Sequence, residues 1–455
     1  MWSPSPQLDA NTASRLRLAA TKLVDRLQQK GYETYWAGGC VRDQLLDLTP
    51  ADYDIATAAT PDQVMEFFPH ANAVGKSFGV VIVAMEGFLF EVATFRTDQG
   101  YSDGRHPDKI TFTTAEEDAQ RRDFTINAMF WDPIRKTLLD FVQGQQDLKA
   151  RSIRAVGNPD LRFKEDHLRM LRAVRFAHRL DFTIEPQTAA AMQAHAQALQ
   201  AISPERIRDE LTRILLESRQ PGKATWTLEK LGLLKTFLPE VSALQHQEQP
   251  PEFHPEGDVL THTLMMLDDM DQRTPALAYA VLLHDIAKPA TATYDGSRIR
   301  FHGHAEKGTI MAEQILRRLR MSNALIEEVC ACVKGHMRFM EVKNMRKPTL
   351  RRMVGSPYFP TEVELHRLDC RACHGMLDNY QFLQDKVRDF EQEPVLPAPW
   401  IRGDDLIQMG LNPGPRFGKI LKQAYDQQLE GTIPNREELL QWVRTRFDKR
   451  RKTNN

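Results

Sequence analysis

The sequence predicts an α+β protein, with a small sheet-containing head over roughly the first 145 residues and helices in the remainder. Three observations carry this reading. Short apolar runs alternate with turn signals in the head. Beyond residue 148 the apolar positions recur at spacings of three and four, as in Leu168, Leu171 and Val174 or Ile207, Leu211, Ile214 and Leu215. Pro-rich stretches at 246–258 (HQEQPPEFHPEGD) and near 391–400 (EQEPVLPAPW) read as linkers. Four segments follow: 1–148, 149–245, 254–375 and a C-terminal helical tail over 376–455.

Within the head, YETYWAGG, YDIAT, GVVIVAM and GFLFEVATF read as strands, the last two joined at Glu86-Gly87 as a hairpin. TPDQVMEFFP reads as a helix between them. Further on, Ser203-Pro204-Glu205 is a helix start, with serine at the N-cap and proline at the first helical position. No internal repeat is present.

Composition excludes several classes. With 42% apolar and 27% charged residues the chain is neither disordered nor fibrous. No run approaches the roughly 18 apolar residues of a membrane span, and MWSPSPQLDA does not read as an export signal, so a cytoplasmic protein without a membrane partner is expected. Five cysteines, an odd number, argue for reduced thiols. Net charge is −1, so a polyanion site has to come from local clustering. Such a cluster runs from Lys149 to Arg179. A second, just before the final TNN, reads as a solvated tail.

The most informative stretch is ADYDIATAAT at 51–60. In a strand, residues two apart share a face, so Asp52 and Asp54 project together while Tyr53 and Ile55 point the other way. Two carboxylates so placed repel unless a cation lies between them, and magnesium with phosphate oxygens meets that need. Glu91, in the apolar run FLFEVATFR, is the natural third carboxylate. Gly38-Gly39 sits at a strand-to-helix turn, where backbone amides favour phosphate. RRDFTINAMFWDP contributes Arg122, Asp123 and Asn127, and EDHLRMLRAVRFAHRL is expected to start a helix with Glu165, Asp166 and Arg169 on one face.

GGCVRD, DYDIAT, GKSFGV, EVATFR, RRDFTINA, FKEDHLRMLRAVRFA and SPERIRDEL occur in one order over about the first 215 residues. In this the chain resembles the bacterial class II tRNA nucleotidyltransferases, the CCA-adding and A-adding enzymes, and the related poly(A) polymerases. The resemblance implies a polymerase-β-like head followed by helical neck, body and tail. It implies that Asp52, Asp54 and Glu91 hold Mg2+, and that the reaction joins CTP or ATP to a tRNA 3′ end with release of pyrophosphate. Gly38, Gly39 and Arg42 would cradle the triphosphate, with Arg122, Asp123 and Asn127 around the ribose and phosphates. Asp166 and Arg169 would read the base edge, with Glu165 steadying the arginine. CCA addition, addition of the terminal A alone and poly(A) synthesis share these motifs.

A second constellation lies beyond the linker. His262 falls in a helix, His284-Asp285 closes the apolar helix AYAVLLHDIAKP, and His304, His336 and Asp369 follow. Mixed imidazole and carboxylate donors suit a divalent transition metal. The pattern resembles the HD phosphohydrolase superfamily, which implies hydrolysis of phosphomonoesters or 2′,3′-cyclic phosphates. His262, His284, Asp285 and Asp369 are the expected ligands, with His304 and His336 at a second metal or the phosphate; His254 and His302 are further candidates. Cys370, Cys373 and His374 match a haem-attachment spacing, but these cysteines, with Cys330 and Cys332, read as helix-packing residues. An HD phosphohydrolase using the head only as an RNA-binding module is the alternative, against which the intact Asp52, Asp54 and Asp166 count.

Overall fold

The computed structural model describes residues 8–72, 78–100, 109–252, 254–390 and 394–447. Part of the GKSFGV motif and the basic run after Phe447 lie outside these. The chain divides into two compact units, residues 1–243 with 318–320, and residues 244–317 with 321–455.

The first unit opens with α1 (Ala10–Gln29), β1 (Thr34–Ala37), α2 (Gly39–Leu45), β2 (Asp54–Thr57) and α3 (Pro61–Phe67). Then come β3 (Val80–Met85), β4 (Phe88–Thr94), β5 (Arg96–Gln99), β6 (Lys109–Phe112), α4 (Ala115–Gln120), β7 (Phe130–Asp132) and β8 (Thr137–Leu139). Six strands form one sheet in the order β3-β4-β2-β1-β7-β8, with β2 and β4 parallel and the other pairs antiparallel. The β3–β4 turn falls at Glu86 and Gly87, both at positive φ (51° and 85°), the backbone that a two-residue hairpin demands. Thr60 caps α3 in a reciprocal capping box with Gln63. The β7–β8 hairpin did not stand out in the sequence, because its strands have only three residues each.

Trp36, Ile55, Phe90, Phe95 and Phe130 pack the sheet with 0–1% exposure. Register does the positioning. Ala37 pairs with Asp54, and Ile55 pairs with Val92, so the start of β2 lies beside both the glycine turn after β1 and Glu91 on β4.

Helices α5 (Gly144–Ala150), α6 (Pro159–Glu165), α7 (Arg169–Leu180), α8 (Pro186–His195), α9 (Pro204–Glu217), α10 (Pro221–Lys230), α11 (Leu234–Phe237) and α12 (Pro239–Ser242) complete this unit. The periodic residues named from the sequence on α7 and α9 are buried, together with Leu168 just before α7. Ser203 does stand at the N-cap of α9, yet its side chain makes no capping hydrogen bond. Residues 152–153 and 183–184 form a two-residue parallel ladder within this otherwise helical region.

The second unit contains α13 (Val259–Asp268), α14 (Pro275–Leu283), α15 (Lys288–Thr291), α16 (His304–Arg318), α17 (Asn323–Gly335), α18 (Lys347–Val354), α19 (Phe359–Ala372) and α20 (Asp378–Phe390). Three more helices follow, α21 (Gly403–Gln408), α22 (Pro415–Glu430) and α23 (Arg436–Phe447), around a core that includes Leu406, Ile420 and Leu439. Among the described residues no helix is long and apolar enough to cross a membrane.

Gly144 opens α5 against the Thr125–Asn127 turn. A Cβ there would meet Thr125 O at 2.3 Å and Met129 Cγ at 2.8 Å. Gly144→Ala is therefore expected to cost about 1–3 kcal/mol by overpacking. Calorimetry should read this as a melting temperature lower by several degrees.

Candidate active site and metal centre

A cleft of about 1000 Å³ opens in the first unit, at the upper end of the range for ligand pockets. Nine arginines and six acids line it. Gly38 turns the chain from β1 into α2 at φ +71°, and a Cβ on it would come 3.3 Å from Arg122 Nη1 and 3.7 Å from Asp54 Oδ2. Glycine here brings backbone, guanidinium and carboxylate together.

Asp54 is the first residue of β2 and Asp52 belongs to the preceding loop, while Tyr53 and Ile55 are buried at 5% and 1% exposure. The alternation expected from ADYDIATAAT is present, although the strand covers only its second half. Glu91 is solvent-exposed on β4, not embedded among apolar side chains, because its face of the strand lies open beside Asp54. Protein crowds most sides of Asp54. Asp54 still reaches solvent at the strand end, but the weakened hydration from these neighbours, then the charges of Asp52 and Glu91, raise its pKa to about 6 against the pull of Arg122. These carboxylates are the hard oxygen donors a divalent cation needs, and Asp54's raised pKa marks the negative charge as under-compensated. They are not among the donor sets that converge within 4.8 Å, as expected of mutually repelling anions.

Around these acids the arginines are held from behind. Asp118, 1% exposed, accepts from Arg121 Nε at 2.8 Å and Arg122 Nε at 3.1 Å, and despite burial those guanidiniums keep its carboxyl below the usual range. Asp123 accepts from Arg172 at 2.9 and 2.6 Å and from Asn127 Nδ2 at 3.3 Å. Arg42 donates to Asn127 Oδ1 and to Asp43 Oδ1, each at 2.7 Å. Gly39 and Arg42 line the cleft, which Asp118 does not.

The expected one-helix arrangement of Glu165, Asp166 and Arg169 is corrected by the structure. Glu165 ends α6, Asp166 is extended (φ −147°, ψ 104°), and Arg169 begins α7. The break lets Glu165 accept from Arg169 Nη1 at 2.6 Å while Asp166 turns to Arg206 Nη2 on α9 at 2.7 Å. Arg169 is steadied by Glu165, and by the carbonyls of Arg162 and Arg121 at 3.0 and 3.3 Å. Sequence reasoning missed Arg206 and Asp118. Both had a signal: Arg206 stands inside SPERIRDEL, and Asp118 lies three and four residues before Arg121 and Arg122.

In the second unit a separate centre forms. His262 lies on α13, His284 and Asp285 directly follow α14, His304 opens α16, His336 follows α17, and Asp369 lies on α19. Donors of His262, His284 and Asp369 fall within 4.8 Å of one another, as do those of Asp285, His304 and His336. Nδ1 of His284, His304 and His336 lies 2.8, 2.7 and 2.6 Å from the carbonyls of Val281, Phe301 and Val333. Donation there directs each Nε2 lone pair inward. The Nε2 atoms of His304 and His336 then face each other at 3.0 Å with two lone pairs, an arrangement that a cation relieves. Nε2 of His262 and of His284 are buried, 3.2 Å from Asp369 Oδ1 and 3.1 Å from Asp285 Oδ2, without hydrogen-bond geometry. Burial pushes the His336 pKa down to about 4, which keeps it neutral for ligation at pH 7. The donor set fits a metal. Lys288 ties Asp285 Oδ2 at 2.7 Å. His302 is exposed and outside these donor groups. Cys373 is more than a packing residue: its sulfur lies 3.4 Å from His254 Nδ1 and 3.7 Å from His262 Nδ1.

Comparison with known proteins gives three family matches. Residues 34–154 match the poly A polymerase head domain, 181–244 the RNA and SrmB-binding site of polymerase A, and 305–443 the tRNA nucleotidyltransferase domain 2. A CCA-adding enzyme of Limosilactobacillus reuteri is 45% identical over 428 residues, spanning 92% of this chain and 94% of the relative. One from Enterococcus faecalis is 33% identical over 430 residues, with 92% and 94% covered. Among solved structures, the Bacillus stearothermophilus CCA-adding enzyme in complex with CTP superposes with TM-score 0.72 at 26% identity, covering 94% of this chain and 97% of that one. The Thermotoga maritima CCA-adding enzyme complexed with tRNA shares the fold, with TM-score 0.61 at 22% identity and coverage of 97% and 96%. By its fold and by relatives that match it nearly end to end, the chain belongs to the CCA-adding enzymes, the tRNA nucleotidyltransferases.

Proposed function

We propose that this protein completes tRNA 3′ ends by template-independent addition of CCA from CTP and ATP, with release of pyrophosphate. The observation that carries this is the cleft that gathers Asp52 and Asp54, the Gly38 turn and the Asp166–Arg169 break within one compact unit. Relatives named for CCA addition over 92% of the chain favour it over poly(A) synthesis or addition of A alone. Unpaired cysteines fit a reducing cytoplasmic setting.

Magnesium held by Asp52 and Asp54, with Glu91 beside them, would supply the charge that activates the terminal 3′-hydroxyl and stabilises the leaving pyrophosphate. The remaining work falls to the chain's own groups. Gly38 and Gly39 let the backbone approach the triphosphate. Arg122, held by Asp118, and Arg42, held by Asn127 and Asp43, present preset cations to its oxygens. Asp166 and Arg169 offer an acceptor and a fork of donors to a base edge, which reads a nucleotide without a template strand.

Asp52→Ala and Asp54→Ala should each lower incorporation of labelled CTP and ATP, on transcripts ending before CCA or after CC, by a thousandfold or so, the loss of several kcal/mol. Incorporation by both variants at the wild-type rate would overturn the reading. Asp166→Ala and Arg169→Ala, in the same assay, should blur nucleotide choice before they abolish transfer. Asp118→Asn, which leaves the cleft's own side chains in place, should lower kcat/KM for the triphosphate about tenfold, close to 1.4 kcal/mol.

A second activity is favoured by the facing His304 and His336 nitrogens and by the buried nitrogens of His262 and His284 converging with Asp369. In this reading His262, His284, Asp285 and Asp369, with His304 and His336, hold a divalent transition metal in an HD-type centre that hydrolyses phosphomonoesters or 2′,3′-cyclic phosphates. Phosphatase and cyclic-phosphodiesterase assays with added nickel, cobalt or manganese should show turnover that Asp285→Asn abolishes while CCA addition persists. Inactivity of the wild type with every metal would leave the centre a structural role.

A further inference from the structure

Beside the histidine and aspartate centre lies a third donor group that neither the transfer reaction nor the HD reading uses. It comprises His254, Glu256 and Cys373, with His262 at its border. Glu256 stands on the segment leading into α13, with its side chain 3% exposed. Oε1 lies 2.7 Å from His262 Nδ1 and 2.9 Å from His254 Nδ1. Oε2 is buried and has no hydrogen-bond partner. A buried carboxylate oxygen left unbonded costs on the order of 1–3 kcal/mol, more when charged, unless something else binds it.

Cys373, just past α19, supplies sulfur to the same place. Its Sγ is 3.4 Å from His254 Nδ1 and 3.9 Å from Glu256 Oε1. In a tetrahedral zinc site, bond lengths near 2.3 Å to sulfur and 2.0–2.1 Å to nitrogen put those donors roughly 3.5 Å apart. The sulfur-to-nitrogen separation matches that edge.

We propose that His254, Glu256 and Cys373 form a second, thiolate-bearing metal site that takes a zinc-class ion, with the fourth position open to water. Cysteine sulfur makes this site softer than its neighbour, whose donors are all nitrogen and oxygen. His262 links the two. Its Nδ1 donates to Glu256 while its Nε2 faces His284 and Asp369, so the carboxylate that binds the zinc-class ion also orients a ligand of the adjacent centre. The site ties the end of the Pro-rich segment to the helix carrying Asp369, and it stands whether or not the adjacent centre turns over phosphoesters.

Cobalt(II) is the probe, added to the metal-stripped full chain. The wild type should show a near-ultraviolet thiolate-to-cobalt charge-transfer band, besides the visible bands of a nitrogen and oxygen centre. Cys373→Ser should remove the first and keep the second, with CCA addition unchanged as the measure of an intact fold. Glu256→Gln should weaken the cobalt dependence of the charge-transfer band by at least tenfold. A wild type without that band, or a band that survives in Cys373→Ser, would overturn the proposal. So would loss of every cobalt signal in Cys373→Ser, which would make the sulfur part of a single centre.

Discussion

Like charges held close together are the constraint on which the nucleotidyltransferase unit is built. A cleft meant for triphosphate and RNA needs many guanidiniums, and side chains of one sign repel one another when crowded. The structure offsets that repulsion with acids set behind the arginines: Asp118 for Arg121 and Arg122, Asp123 for Arg172, Glu165 for Arg169 and Glu210 for Arg175. Each pair fixes an orientation as well as a charge, because a planar guanidinium bound on one edge has its other edge aimed. The sheet register then sets a cluster of the opposite sign, Asp52, Asp54 and Glu91, against this ring.

Much of this was legible from the chain alone, and its limits have physical causes. Period-two alternation around Asp52 and Asp54 survives into the structure because Tyr53 and Ile55 are core residues that anchor the face. The hairpin at Glu86-Gly87 was readable because its turn needs two positive φ angles. The single-helix reading of Glu165 to Arg169 failed because spacing of three and four cannot reveal one extended residue. Asp166 is that residue, and its carboxylate follows the Arg206 of a helix some 40 residues on. Glu91 was expected among apolar neighbours, but a strand has two faces, and its own is the open one.

The histidine centre shows the same division. The apolar helix AYAVLLHDIAKP foretold where His284 would sit, yet which nitrogen of His284 and of His336 points inward depends on carbonyls three residues back, a detail of local backbone. Cys373 lies 119 residues from His254, so no local pattern could pair them. Its match to a haem-attachment spacing was a coincidence of short motifs, and what surrounds the sulfur in space is two carboxylates and two imidazoles.

The acids behind the arginines also set how the cleft feels ionic strength. Nine arginines and six acids line it, and Asp118, Glu165 and Glu210 behind them bring these formal charges into balance. An incoming polyanion therefore displaces the counterions of a weakly charged surface rather than those of a strongly basic one. Binding of this kind depends on fixed directions more than on bulk attraction.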